Sequence, residues 1–333
     1  MRADRTTRDR RRTFAMTVTG PLDPDLLGPT LAHEHLYCDI SAHSGRQDNV
    51  LNDVPRAVEE LRYFQAAGGR TIIEATPEGI GRDPARLRDI SRASGVHVVS
   101  GIAFYTESTY PPWFRSCPDD PTRADRLADY FVRHIQDGCD GVRAGVIGEL
   151  ASHNAPPAGD PRDYRLTDAE TVLFQAAAKA QRTTGVGVIT HASLGRGGHA
   201  QLRLLERSGA DPARVCIGHC DAECRQNPEH DMAYYTGILD CGAFCAFDMI
   251  GWTDLVPDDV RADRIARLVQ RGYQEQIVLS TDTCRQSQLH ANGGRGYDYL
   301  WRSFLPQLRQ RGVTDEQIRA MLVAAPRRLL TGV

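Results

Sequence analysis

Thr30-Leu-Ala-His-Glu-His35 is a short apolar run that ends in two histidines, and the segment that follows it, Val54–Ala67, carries apolar residues at helical spacing. The unit repeats. Further strand-like runs stand at Thr71–Thr76, His97–Ala103, Gly145–Ala151, Gly187–His191, Val215–His219, Ala243–Asp248 and Ile277–Asp282. Between them, Arg123–Gln136, Asp168–Arg182, Gly198–Ser208 and Asp258–Arg271 have helix periodicity. Runs apolar enough to be buried on both faces, alternating with helices, predict a parallel sheet. Eight such units predict closure into a (β/α)8 TIM barrel, an α/β fold. The 333 residues suffice for it, since such a barrel needs roughly 250 and tolerates insertions.

The formal net charge of −3 gives no electrostatic reason to expect nucleic acid or an anionic membrane as partner. No apolar stretch of the ~18 residues that span a bilayer is present. The expected partner is a small-molecule substrate, and the oligomeric state stays open, a homodimer being one option. Arg2, Arg5, Arg8, Arg10, Arg11 and Arg12 begin like a targeting signal. An export signal needs an apolar segment next, and Phe14–Pro21 is short and polar. Residues 1–15 are therefore expected to be a disordered basic extension, with Met16 as an alternative start, and residues 16–333 a single cytoplasmic domain. The stretches Tyr105–Pro121 and Ser152–Tyr164, rich in Pro and Gly, read as loops over the barrel mouth.

Among the nine cysteines, Cys216, Cys220 and Cys224 recur every four residues, as do Cys241 and Cys245. That spacing invites a zinc thiolate site. Cys216 and Cys220, however, flank His219 on a strand and should face away from it. Buried, reduced thiols are the expectation.

The chemistry lies in where the polar residues fall. His33, His35, Glu149, His191, His219 and Asp282 all stand at or near the C-terminal ends of their strands, the end at which barrel enzymes build their sites. His33 and His35 are two apart on a strand and so face the interior together, with Glu34 turned away. Any one of these residues alone reads as a satisfied core group. Four imidazoles and two carboxylates converging on one rim read as a metal site. Asp282 can bind an ion and accept a proton from its water, and Glu149 can bridge two ions about 3.5–4 Å apart. Softer candidates for the substrate are Arg285, whose guanidinium matches an anionic group, Asp248, Tyr297 and Tyr105; each has an ordinary packing or ion-pair role as its alternative.

These ligands, together with Gly218-His-Cys-Asp221, Phe247-Asp-Met-Ile-Gly251 and Ala291-Asn-Gly-Gly-Arg-Gly-Tyr-Asp-Tyr-Leu300, resemble the phosphotriesterase family of the amidohydrolase superfamily, closest to its homology-protein branch. The resemblance runs from about Gly20 to the C-terminus. It implies that His33, His35 and Asp282 hold a more buried ion, that His191 and His219 hold a more exposed one, and that Glu149 and a hydroxide bridge them. Phosphotriesterases proper carry a carboxylated lysine where this chain has Glu149, which bears on organophosphate cleavage more than on metal binding. Zinc is the first expectation for the two divalent ions, with manganese, cobalt and iron also suited to nitrogen and oxygen donors.

The expected activity is metal-dependent hydrolysis of a lactone or related carboxylic ester, phosphorylated or otherwise anionic. The alternatives are amide hydrolysis of a small N-acyl compound, phosphotriester cleavage as a side reaction, and a metal- or ligand-binding barrel without turnover. A mononuclear deaminase would have no need of Glu149 as a bridge.

Overall fold

Eight strands apolar on both faces line up in parallel: β1 (Thr30–Glu34), β2 (Thr71–Glu74), β3 (His97–Ile102), β4 (Val146–Ser152), β5 (Gly187–Ala192), β6 (Val215–Ile217), β7 (Phe244–Phe247) and β8 (Ile277–Leu279). Their hydrogen-bonded order in this computed structural model is the chain order, β1 to β8. The structure describes residues 13–115, 120–152, 164–193, 197–222 and 227–333. Parallel strands in chain order with a helix in each crossover make the expected (β/α)8 barrel.

The helices begin where the sequence supplies caps. Asp53 accepts from the Arg56 N–H at the start of α1 (Val54–Ala66), and Asp83 does the same for Arg86 in α2 (Pro84–Ser94). In both, Pro occupies the first turn, where the missing N–H costs nothing. Helix α3 spans Arg123–Gln136, and α4 (Asp168–Thr184) opens on a reciprocal capping box between Thr167 and Glu170. Helices α5 (Gly198–Arg207), α6 (Pro228–Leu239), α7 (Asp258–Gln270) and α8 (Leu305–Gln310) complete the outer ring.

One apolar cluster fills the barrel and closes its N-terminal end. Ala32, Ile73, Val99, Val146, Ile189, Cys216, Ala246 and Val278 pack with Ala15 and with Leu329 and Leu330 of the last helix. Ala15 pairs with Leu22 in a short hairpin and is 1% exposed. The expected extension 1–15 therefore overlaps the fold at its end, because Ala15 supplies apolar surface to this plug. The rest of that expectation, residues 1–12, lies outside the described residues.

The other departures are at strand ends. Thr76, His219, Asp248 and Asp282, expected as terminal strand residues, lie just past β2, β6, β7 and β8. The stretch from Tyr105 contains a turn of helix at Glu107–Thr109 and another at Pro112–Arg115, packed through Tyr110 and Phe114 against Phe104. Residues 116–119, and residues 153–163 of the second expected loop, lie outside the described residues. Cys216, Cys220 and Cys245 are buried free thiols, whereas Cys241 is exposed; Cys224 is outside the described residues.

Candidate active site

Two irregularities in the sheet aim the site. The pairing of β1 with β2 shifts by one residue between Leu31 and Glu34, and that of β4 with β5 shifts between Ile147 and Leu150. An extra residue in one strand re-aims the side chains beside it. The first bulge turns out His33, the second Glu149. Gly148 makes the second one workable, since a Cβ there would stand 2.6 Å from the Ile189 carbonyl oxygen.

Two of the expected ligands sit in backbone that L residues rarely adopt. His219 has φ 54° and Asp282 φ 46°. Left-handed non-glycine residues cost roughly 1–3 kcal/mol each and persist only where surrounding bonds over-determine them. Gly218, before His219, allows the approach: a Cβ there would lie 1.9 Å from the Thr190 carbonyl oxygen.

The six residues come together. His33 Nε2 lies 3.2 Å from Glu149 Oε2 and 3.9 Å from Asp282 Oδ1. His35 Nε2 is 3.3 Å from Asp282 Oδ1 and 3.7 Å from Glu149 Oε1. His191 Nδ1 is 2.9 Å from Glu149 Oε2 and 2.9 Å from His219 Nε2. Two sets of donor atoms therefore cluster, His33 with His35 and Asp282, and His33 with Glu149 and His219. Glu149 lies between the histidines of the first strand and His191. His33 is common to both sets, and no side chain in either is more than 11% exposed, whereas that of His191, on the rim beside them, is 14% exposed.

A layer of hydroxyl and carboxylate groups behind the rings fixes which nitrogen faces inward. Thr76 donates its hydroxyl to Glu74 Oε1 at 2.6 Å, so its oxygen accepts from His35 Nδ1 at 2.8 Å and leaves the His35 Nε2 lone pair on the site. Asp248 Oδ1 accepts from His219 Nδ1 at 2.9 Å, and Asp248 Oδ2 lies 3.0 Å from His33 Nδ1. Both rings then offer Nε2 inward. Imidazole backed by carboxylate is the usual outer layer of a metal centre.

The electrostatics favour positive charge at the centre. Burial alone would push the Glu149 carboxyl up, but the His191 and His33 imidazoles hold it well below the ordinary range. Asp282 is likewise held low, burial being overcome by His35, His219 and His33. Against its own burial, His33 is raised well above its ordinary value by Glu149 and Asp248, and His219 is raised to about 9 by Asp248. His33 Nε2 is buried without a hydrogen-bond partner. Imidazole nitrogens and carboxylate oxygens around a buried unsatisfied nitrogen fit divalent cations of the zinc, manganese, cobalt and iron class.

The sequence pattern of the phosphotriesterase family matches residues 14–330. The chain belongs to the phosphotriesterase family. It is a hydrolase by that membership. The Escherichia coli phosphotriesterase homology protein, in a crystal structure with phosphate in its active site, superposes with a TM-score of 0.82 at 33% identity, covering 92% of this chain and 99% of that one. A mutant of a phosphotriesterase-like lactonase from Deinococcus radiodurans gives 0.81 at 32%, covering 95% and 99%. The N-acetyltaurine hydrolase of Salmo salar is 29% identical over 95% of this chain and 97% of its own length.

The softer candidates divide. Tyr105 is 8% exposed and stands edge-on between His191, at 5.1 Å, and His43, at 5.2 Å, on the rim of the site. Arg285 is half-buried, its guanidinium 4.3 Å over the Trp252 ring. Asp248 departs from the expected substrate contact: it is fully buried and both its oxygens face imidazoles. So does Tyr297, which is 1% exposed and donates its hydroxyl to the His35 carbonyl at 2.7 Å. Both polar groups are consumed beneath the site.

Sequence reasoning missed Glu34, Glu74 and Thr76 as supports of the ligands, and His43 and Trp252 on the rim. Buried Glu34 and Glu74 are both pushed up by their burial and partly restored by hydrogen bonds. A carboxylate inside an apolar strand run was the available signal, since such a group needs partners to be buried.

Proposed function

We propose that the chain hydrolyses a lactone or related carboxylic ester that carries an anionic tail, with His33, His35 and Asp282 holding one divalent ion, His191 and His219 a second, and Glu149 shared between them. The observation that supports the anionic tail is Arg285, stacked on Trp252 three residues past Asp282, on the loop leaving β8. Stacking fixes the guanidinium plane and leaves its edge to meet carboxylate, phosphate or sulfonate in two-pronged fashion. The lactonase and phosphate-bound relatives support the same class.

Divalent ions held by these residues would supply Lewis acidity and lower the pKa of a bound water. Asp282 accepts the proton that water gives up and delivers it to the leaving oxygen or nitrogen. Tyr105, held edge-on against His191, walls the pocket on the side of the more exposed ligands. Glu149 keeps the two halves of the donor set together.

A second reading, amide hydrolysis of a small N-acyl compound with an anionic end, draws on the N-acetyltaurine hydrolases that align over nearly the whole chain. We place the protein in the cytoplasm, where free thiols such as Cys38 and Cys216 stay reduced; among the described residues no helix is long and apolar enough to cross a membrane.

The test is a panel of lactones, carboxylic esters and N-acyl compounds, each with and without an anionic group, on the zinc-reconstituted protein and on Arg285→Ala. Lactone turnover whose KM rises roughly 10–100-fold in the variant for anionic members alone is expected, the range of a charged hydrogen bond. N-acyl turnover without lactone turnover would install the second reading. Equal KM changes for neutral and anionic members would remove Arg285 from substrate recognition.

A further inference from the structure

Asp282 lies beyond Leu279, the last residue of β8 that pairs with β7, and holds its left-handed φ of 46°. Among the described residues β8 forms no ladder with β1, so the barrel is not closed there by strand pairing. Side chains span the gap, and Glu34 makes most of the bonds. Glu34 Oε1 accepts from the Ser280 hydroxyl at 2.8 Å, from the Thr281 N–H at 2.7 Å and from the Thr281 hydroxyl at 2.8 Å. Glu34 Oε2 accepts from the Thr283 N–H at 2.7 Å. The amide N–H groups of Thr281 and Thr283, the residues on either side of Asp282, are thus tied to a single carboxylate, which is itself 0% exposed.

The opposite side of the same segment is held as well. The Thr281 carbonyl accepts from the Trp252 indole N–H at 2.9 Å and from the Arg295 guanidinium. Ser280 Oγ, in turn, accepts from the His33 N–H at 2.9 Å. The backbones of two expected ligands of one ion, His33 and Asp282, are therefore linked through Ser280, and Glu34 sets the distance between their strands.

We propose that Glu34 is the positioning residue for Asp282: by clamping the amides of Thr281 and Thr283 it holds the Asp282 carboxylate where an ion shared with His33 and His35 would be bound. The inference rests on the reading of Asp282 as a ligand of that ion. Glu34 acts through backbone and touches neither ion nor substrate. Its charge matters because four donors converge on two oxygens. A glutamine keeps an acceptor for Ser280 and Thr281 but turns an NH2 toward the Thr283 N–H. An alanine releases all four donors.

The test uses the full chain, stripped of metal and titrated with Co2+ alone, following ligand-field absorption and competition with a chelator, alongside thermal denaturation. The wild type is expected to bind two equivalents. Glu34→Ala is expected to weaken one of them by roughly 10–100-fold, the usual effect of removing an outer support of a metal ligand, and to change the ligand-field band. Glu34→Gln is expected to weaken the same equivalent less, with a band nearer the wild type, and it carries the test should the alanine variant not fold. Asp282→Asn should weaken that equivalent too. A lower melting temperature with both equivalents and the band unchanged in the Glu34 variants would mean a merely structural role and overturn the proposal. Asp282→Asn binding both equivalents like the wild type would overturn the reading of Asp282 instead, and the role of Glu34 with it.

Discussion

Asp248 holds His219 twice, accepting from its backbone N–H at 2.9 Å and from its ring Nδ1 at 2.9 Å. Backbone and ring are fixed by one carboxylate, which also faces His33 Nδ1 at 3.0 Å. Asp248→Asn keeps one acceptor oxygen and turns an NH2 toward a ring nitrogen. Metal affinity is expected to fall roughly 10–100-fold, read by calorimetric titration with Zn2+. Wild-type affinity would mean that the strand ends alone orient both rings.

Asp282→Asn should fold like the wild type and lose turnover. The amide cannot take a proton, and general-base contributions run to about 10²–10⁴-fold. The comparison is made at equal zinc occupancy, with the melting temperature as the control. Activity within a few-fold of wild type would move the proton acceptor elsewhere.

Arg261, on α7, is 0% exposed and ties the segment after β6 to the first turn of its own helix, with Nε 2.7 Å from Asp221 Oδ2 and Nη1 3.0 Å from Asp258 Oδ1. Asp221 accepts from the Met249 N–H, next to Asp248, and Asp258 accepts from the Gly251 N–H and from the Tyr299 hydroxyl. Arg261→Met leaves two buried carboxylates without their cation, which costs about 3–5 kcal/mol. Urea denaturation would read this as a lowered midpoint; an unchanged midpoint would mean that water or backbone donors already satisfy both acids.

His134, half-buried on α3 against Tyr130, is held down to about 4 by burial and by Arg82 and Arg133. In the unfolded chain it returns to 6.5, so the unfolded state takes up the proton first. The contribution to stability is complete above pH 6.5 and is lost as pH falls from there toward 4. His134→Gln should flatten that part of the stability profile, measured as urea midpoints at several pH values. Parallel profiles for the two proteins would remove His134 as the cause.

Much of this molecule was legible in the residues themselves. All eight strands were found in order, because a strand buried on both faces leaves an unbroken apolar run such as Phe244–Phe247. The six converging residues were legible because each is an expensive polar group at the same end of such a run. What lay between them was not. Alternation told that Glu34 turns away from His33 and His35, but nothing local told that it turns onto Thr281 and Thr283, a contact made across the chain. Asp248 and Tyr297 read as substrate groups because a polar residue at the rim looks the same from the sequence whether it faces the pocket or the ligands beneath it. The bulges at β1 and β4 leave no mark on the spacing of His33, His35 and Glu149.

The clamp on the last strand also ties completion of the site to completion of the chain. Glu34 leaves the ribosome early, and its donors Ser280 and Thr283 follow 246 and 249 residues later. Synthesis runs from the N-terminus at about 5–20 residues per second, so the early histidines wait on the order of ten seconds or more for Asp282. Until then the nascent chain has five of the six expected ligands and lacks the donors through which Glu34 ties the last strand to the first. The last expected ligand arrives with the last strand, so a chain cut short before it has neither Asp282 nor the clamp that holds it.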